Sequence, residues 1–368
     1  MFPRAACAEH GPRKSHCFGS TSDGESALLR GMRPISAFLA VVLLTALSLG
    51  RATANDGSAD ATPAGGIVPR KEGRVTMRKE RLFIRRDKVR VEYEFVNDSK
   101  EDVWSGVAFP LPEYYFSPVY GWPDNFTDFK AWVGGSRIQF ATEVKALKGG
   151  TDVTAEVESA GLDIRTLGRV SETIYQWEPD GTHAKEVGTL GQIPRLPMEK
   201  LERLRSLGLV GAISGDEARL WPSWGVRVTY FWIQHFPPGE VVRIRHEYTP
   251  ALGNYPVLHT DIKDACIEAS LRKTLEARRT PQEQVVFNTS STEWVSYILT
   301  TANSWKTPIL DFELEIEHAE GWLVSLCWDG KMERSGPRSF KSTMKDFVPR
   351  NELKVYFLKP APRASPSK

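Results

Sequence analysis

In the stretch KVRVEYEF, residues 88–95, apolar and charged side chains alternate without a break. Val89, Val91, Tyr93 and Phe95 fall on one side, and Lys88, Arg90, Glu92 and Glu94 on the other. Successive side chains of a β-strand point to opposite faces, whereas a helix would scatter this pattern around its circumference. The segment therefore predicts a strand with one dry face and one wet face. Its charged face argues for an antiparallel sheet, since parallel sheets are covered on both sides.

The same period recurs along the chain. Upstream, Val75 and Met77, then Leu82 and Ile84, alternate in RVTMRKERLFIRR. Downstream, NDSKED reads as a turn, and residues 103–109 are expected to return as the partner strand of a three-stranded meander. A second hairpin is expected over residues 225–248, with Val226, Val228, Tyr230 and Trp232 on one face, FPPGE as the turn, and Val242, Ile244, His246 and Tyr248 on the return. EWVSYILTT, DFELEIEH, WLVSLCW and ELKVYFL add further short strands. Residues 152–215 lose the period of two, and Met198, Leu201 and Leu204 take helical spacing between Pro197 and Gly208. A further helix is expected in DACIEASLRKTLEARR, capped by Asp264, with Cys266 in its first turn. The fold class that follows is mainly β: antiparallel, sandwich-like domains with a helical insertion. The expected division is an N-terminal β domain over 55–150, the insertion over 151–215, a C-terminal β-rich region over 216–360 and a disordered tail over 361–368.

The N-terminal part carries an address. Residues 35–50 hold no charge; Arg33 precedes them, and Arg51 and Ala52-Thr53-Ala54 follow. A membrane-crossing helix needs about twenty apolar residues, so this run is short for a span. Basic start, apolar middle and small-x-small exit predict a secretory signal over 32–54, cleaved after Ala54, and a periplasmic or secreted protein with no stable membrane span afterwards. An uncleaved anchor is the alternative. Residues 1–31 lack apolar periodicity, and Met32 reads as the true start. Residues 1–54 carry six Lys/Arg and three Asp/Glu, which leaves the remainder almost balanced, one acidic residue in excess. No large single-sign field remains to attract nucleic acid or anionic lipid.

Two cysteines, Cys266 and Cys327, follow the signal. In an oxidising compartment they are a candidate disulfide, with two separate thiols as the alternative. Neither has a CxxC partner or a histidine at ligand spacing, so no metal site is read from them. Of the five histidines beyond residue 54, none stands in HExxH or in an i, i+4 pair. His246 shares the face of Ile244 and Tyr248 and reads as a buried histidine with a hydrogen-bond partner, while its neighbour Glu247 points the opposite way. His235 reads as solvated. No G-x-S-x-G elbow, phosphate-binding loop or calcium loop is present, and no catalytic residue or cofactor is assigned. The stretch most suited to recognition is residues 110–135, where Tyr114, Tyr115, Phe116, Tyr120, Trp122 and Trp132 stand among prolines and glycines. Aromatic rings there can stack on a glycan or pack on a protein, or simply form a second small core under a loop.

The blocks NDGSADATPAGGIV, the residues 88–112, WPSWGVRVTYFWIQHFPPGEVVRIRHEYTPALG, EWVSYILTTANSWKTPILDFELEIE and LVSLC together resemble an exported bacterial family known as a domain of unknown function, the one numbered 4424. The resemblance implies an exported protein and a Cys266–Cys327 disulfide, and it implies no activity. The reading is thus an exported, non-catalytic β-rich protein that binds a protein partner or an envelope glycan, its oligomeric state open. A periplasmic hydrolase acting on envelope glycan or peptide is the alternative.

Overall fold

Alternation turns into packing between two facing sheets. The computed structural model describes residues 56–61, 67–115, 128–165, 173–177, 184–189, 193–213, 216–255, 262–277 and 291–360. The expected leader, signal and tail lie outside them. The protein is mainly β, with antiparallel sheets and few helices.

The first sheet runs in the order Thr151–Asp152, Ala141–Lys148, Gly225–Phe236, Val103–Pro110, Gly57–Ala61, Ile67–Pro69, with Tyr114–Tyr115 also paired to Gly225–Phe236. The second has the order Glu333–Gly336, Ser339–Phe347, Ile309–Glu317, Val75–Arg85, Lys88–Asn97, Val241–Tyr248, Lys130–Val133, Ser136–Arg137. Its pairing of Ile309–Glu317 with Val75–Arg85 is parallel; the others are antiparallel. A small sheet orders Leu252–Tyr255, Ser291–Tyr297, Leu353–Lys359 and Leu323–Ser325. The inner faces supply one core that includes Val91, Tyr93 and Phe95 from the second sheet, Val107, Phe109, Val228 and Tyr230 from the first, and Val295 and Phe357 from the small one. Each sheet thus hides one apolar face from water, the main favourable term in folding.

The two expected hairpins are not formed. Val103–Pro110 leaves Lys88–Asn97 and pairs with Gly225–Phe236 and Gly57–Ala61 in the first sheet. Gly225–Phe236 likewise parts from Val241–Tyr248, which pairs with Lys88–Asn97 in the second. Both short connections are therefore corners that carry the chain from one sheet to the other. Buried Asn97 ties these corners together: its side-chain amide donates to Glu101 O at 2.7 Å and to Phe236 O at 2.8 Å. Its carbonyl oxygen accepts from Ser99 N and Ser99 Oγ.

Strand Val75–Arg85 carries a register shift between Met77 and Lys79. The bulge inserts one residue and reverses which face the following side chains take. Val75 and Met77 point inward before it, and Glu80, Leu82 and Ile84 after it. Glu80 thereby enters the core.

Helix Met198–Ser206 forms as its spacing predicts, with Leu201 and Leu204 buried and Gly208 at φ +64 beyond its end. The stretch 151–215 also holds helix Thr154–Ser159 and the strands Thr173–Trp177, Ala184–Thr189 and Val210–Ile213. The other helical expectation needs correction. A 3-10 turn covers Lys263–Ala265, the helix spans Ala269–Glu276 behind Glu268, and Cys266 sits between them in a left-handed conformation, φ 48. Asp264 caps nothing and binds Lys354 Nζ at 2.8 Å. Cys327 also stands outside its expected strand, which ends at Ser325.

Cys266 and Cys327 are joined as a disulfide, Cα atoms 5.0 Å apart. It fastens the 262–277 segment over a satellite core of Ala265, Ile267, Leu275, Tyr356 and Leu358. The small sheet is consequently covered on both faces, which explains the unbroken apolar run VYFL. Closing 61 residues stabilises the fold by about 4 kcal/mol in the chain-entropy model. Cys266→Ser should lower the melting temperature of the oxidised protein by several degrees and abolish its response to dithiothreitol. An unchanged melting temperature would show that the crosslink contributes nothing.

Candidate functional site

Two kinds of chemistry could make a site here: converging ionisable groups and exposed aromatic surface. The structure separates them.

The ionisable groups lie between the sheets. His246 projects inward from Val241–Tyr248, fully buried, and its Nε2 meets Asp56 Oδ1 at 2.8 Å. Asp56 directly precedes strand Gly57–Ala61 and is also fully buried. Its peptide N–H donates to Tyr93 Oη at 3.4 Å, and its carbonyl accepts from Trp305 Nε1 at 2.5 Å. The Tyr93 and Tyr297 hydroxyls lie 3.0 Å apart, and Tyr297 donates to Glu80 Oε1 at 3.4 Å. Around the imidazole stand Phe109, Phe129, Trp232 and Tyr93, ring centroids 5.0–5.7 Å away. Burial pushes the Asp56 carboxyl above its ordinary 3.8, an effect that His246 partly counters. Burial also raises the Tyr93 and Tyr297 phenols well above their usual range.

This arrangement resembles a proton relay in composition but not in access: Asp56, Glu80 and His246 each show no exposed surface. Its visible work is structural. It holds strand Gly57–Ala61 to the second sheet and, through the two tyrosines, to the small one.

Of the sequence-predicted aromatics, the three among the described residues lie on two different sheets. Phe116, Tyr120 and Trp122 lie outside the described residues. Tyr114 is buried and pairs with Val226 in the first sheet. Tyr115 beside it is exposed, and its hydroxyl donates to Glu113 Oε1 at 2.7 Å. Partial burial and that carboxylate push its phenol up to about 12. Trp132 is half-buried on the outer face of the second sheet, with the Arg245 guanidinium 4.0 Å from its ring centroid. His235, expected to be solvated, is half-exposed, stacked on Trp104 with centroids 4.4 Å apart, and bonded to Asp102 Oδ1 at 2.6 Å.

That stack leads to a surface the sequence reading missed. Trp104 is 66% exposed and Ile233 59% exposed on neighbouring strands of the first sheet, where Trp104 pairs with His235 and Ile233 with Gly106. Both are apolar residues on the wrong side of the alternation: Val103, Ser105 and Val107 point inward, as do Val228, Tyr230 and Trp232. That mismatch of phase is the signal that could have found them. Gly106 has no side chain because a Cβ there would meet Ala59 O at 2.1 Å and the Phe231 ring at 2.7 Å. An open groove of about 720 Å³ runs alongside, lined by Trp104, Ile138, Phe140, Phe231 and Ile233.

Comparison with known proteins comes down to one decisive match. The model of a domain of unknown function, DUF4424, matches residues 54–356. The chain belongs to this family. No curated protein sequence matches it. Among solved structures, a candidate nutrient binding protein from Legionella pneumophila aligns at 13% identity and a TM-score of 0.39, covering 82% of this chain and 72% of that one. An M1 zinc metallopeptidase from Deinococcus radiodurans aligns at 10% identity and a TM-score of 0.28, covering 78% of this chain and 43% of that one. The chain thus spans less than half the metallopeptidase. Among the described residues of this DUF4424 protein, no three His, Cys, Asp or Glu side chains are grouped to hold a metal ion, and no helix is long and apolar enough to cross a membrane.

The raised Asp56 value has a testable sign. Folding favours the protonated carboxyl, so its contribution is complete below the unfolded value and is lost as pH rises through the folded one. His246, Tyr93, Tyr297 and Glu80 surround it and stay in place in Asp56→Asn. The stability of wild type minus that of Asp56→Asn, measured by urea unfolding, should fall as pH rises above 3.8. A flat difference would refute the assignment.

Proposed function

We propose that this protein is an exported, non-catalytic binding protein and that a protein partner docks on the outer face of its first sheet. The observation that carries the reading is the pair Trp104 and Ile233, mostly exposed and adjacent, beside a groove of further apolar side chains. Large exposed apolar residues gathered on one face mark interaction surfaces in soluble proteins. Trp104 is held in place by its stack on His235, which Asp102 orients. A ring fixed in advance loses little freedom on binding. The aliphatic Ile233 favours a protein over a glycan, because sugar hydroxyls set against it would lose hydrogen bonds to water.

Export rests on the signal read over 32–54 with cleavage after Ala54, and the disulfide is what an oxidising compartment permits. The hydrolase reading would need converging His and carboxylate groups open to substrate, whereas Asp56 and His246 are closed to solvent.

The test uses residues 55–368 as bait for chemical crosslinking in an envelope extract. A specific crosslinked species should be lost with the double variant Trp104→Ala/Ile233→Ser while the melting temperature stays within a few degrees. Equal capture by both proteins would remove this face from the function.

A further inference from the structure

The outer face of the second sheet is a ladder of cross-strand charges. On such a face opposite charges pair across strands, and most do so here. Lys341 reaches Glu313 at 2.8 Å, Lys345 reaches Asp311 at 3.0 Å, Lys88 reaches Glu247 at 3.0 Å and Arg243 reaches Glu94 at 3.3 Å. The pattern fails for Lys130 and Glu315, whose facing partners bind elsewhere, and for a group of cations beside Ile309–Glu317. In register, Asp311 faces Lys79 and Glu313 faces Arg81. Both carboxylates are engaged from the other side by Lys345 and Lys341, so neither is within ion-pair distance of Lys79 or Arg81.

Across the next strands the rows run Lys79–Glu94–Arg243 and Arg81–Glu92–Arg245–Trp132. Each of these two carboxylates stands between two cations. Glu94 goes to Arg243, and the nearest ion-pair partner of Glu92 is Arg90 at 3.9 Å. Among the described residues, Lys79, Arg81 and Arg245 form no ion pair. Arg245 lies over Trp132 at 4.0 Å, and its Nε is buried without a hydrogen-bond partner. These groups line a cleft of about 310 Å³, small enough for a single head group. Its four cations outnumber its two carboxylates by two, in a chain of nearly balanced charge.

The geometry points to this cleft as a binding site for a phosphate monoester, with Arg81 and Arg245 gripping the phosphoryl oxygens and Lys79 adding charge. A phosphate monoester carries about −1.5 to −2 at pH 7, which matches the local excess. Guanidinium groups present paired N–H donors that fit such oxygens bidentately, a geometry an ammonium lacks. Stacking on Trp132 fixes one face of Arg245 and leaves its edge for the ligand. The site lies on the other sheet from the Trp104 face and does not draw on the docking proposed there.

The same group could come from a soluble ester or from a lipid head group, and the experiment has an arm for each. Oxidised protein, residues 55–368, is titrated calorimetrically at low salt with glycerol 3-phosphate, with glycerol as control. It is also sedimented with phosphatidylcholine vesicles with and without phosphatidic acid. Saturable binding in either arm, weakened by added salt, is expected. Arg245→Gln and Arg81→Gln should each reduce it at least tenfold, whereas Lys345→Gln, outside the cleft, should change it less than twofold. Binding confined to the vesicles assigns the source to lipid, and binding of the soluble ester assigns it to a free metabolite. No binding in either arm, or binding unchanged in both arginine variants at unchanged melting temperature, overturns the site.

Discussion

Each long strand of this protein must keep one side dry, and the rest of the architecture follows from how that is done twice over. A single sheet with one apolar face cannot stand alone in water; it must meet a second. Here the inner faces of the two large sheets meet at rings such as Phe95 with Phe236 and Phe109 with His246. Because the strands change sheets at the corners after Asn97 and Phe236, neither sheet can form without the other. Asn97 is the hinge of this arrangement. A buried amide holding carbonyls from both corners leaves few alternatives for the path of the chain, since any other path would strand those groups without partners.

The buried polar chain from His246 to Glu80 belongs to the same logic. Burying Asp56 with His246 carries a desolvation cost that a well-packed apolar pair would avoid. What the pair gives in return is register. Shifting Gly57–Ala61 by one residue would turn Asp56 to the opposite face and leave His246 Nε2 facing aromatic rings. The bulge at Arg78 serves a similar end, since without it Glu80 would point to solvent and its bond from Tyr297 would be lost. These groups specify one arrangement of strands more than they strengthen it.

The sequence made the strands legible because alternation is local: Lys88–Asn97 and Ile309–Glu317 can be read from their own residues. It did not make their partners legible. Which strand lies beside which is decided by contacts far apart in the chain, and a five-residue turn serves a corner as well as a hairpin. The helix at Met198–Ser206 was readable from spacing and its bounding Pro197 and Gly208. Cys266 was misplaced because a left-handed residue and a 3-10 turn interrupt an otherwise helical pattern, and nothing in the composition announces them. Asp56 escaped notice for a related reason. Its partner lies 190 residues away, and a single aspartate among small residues carries no periodic signal. His246, by contrast, was readable, because its place on the dry face demanded a partner.

Both proposed recognition surfaces are departures from the rule that shaped the fold. Trp104 and Ile233 put apolar bulk on a face that alternation reserves for polar groups, and Lys79, Arg81 and Arg245 gather charge without ion pairs on a face where many charges pair. Neither departure helps folding. An exposed tryptophan gains little from burial it does not have, and the cleft gathers four cations around only two carboxylates. Local choices that agree with the fold need no further explanation, whereas those that oppose it call for one outside the fold. The two departures differ in chemistry, one apolar and one cationic, and they sit on different sheets. A single ligand would have to satisfy both chemistries on separate sheets, so the two proposals call for two ligands, a protein partner and an oxyanion, each on a face that the core leaves free.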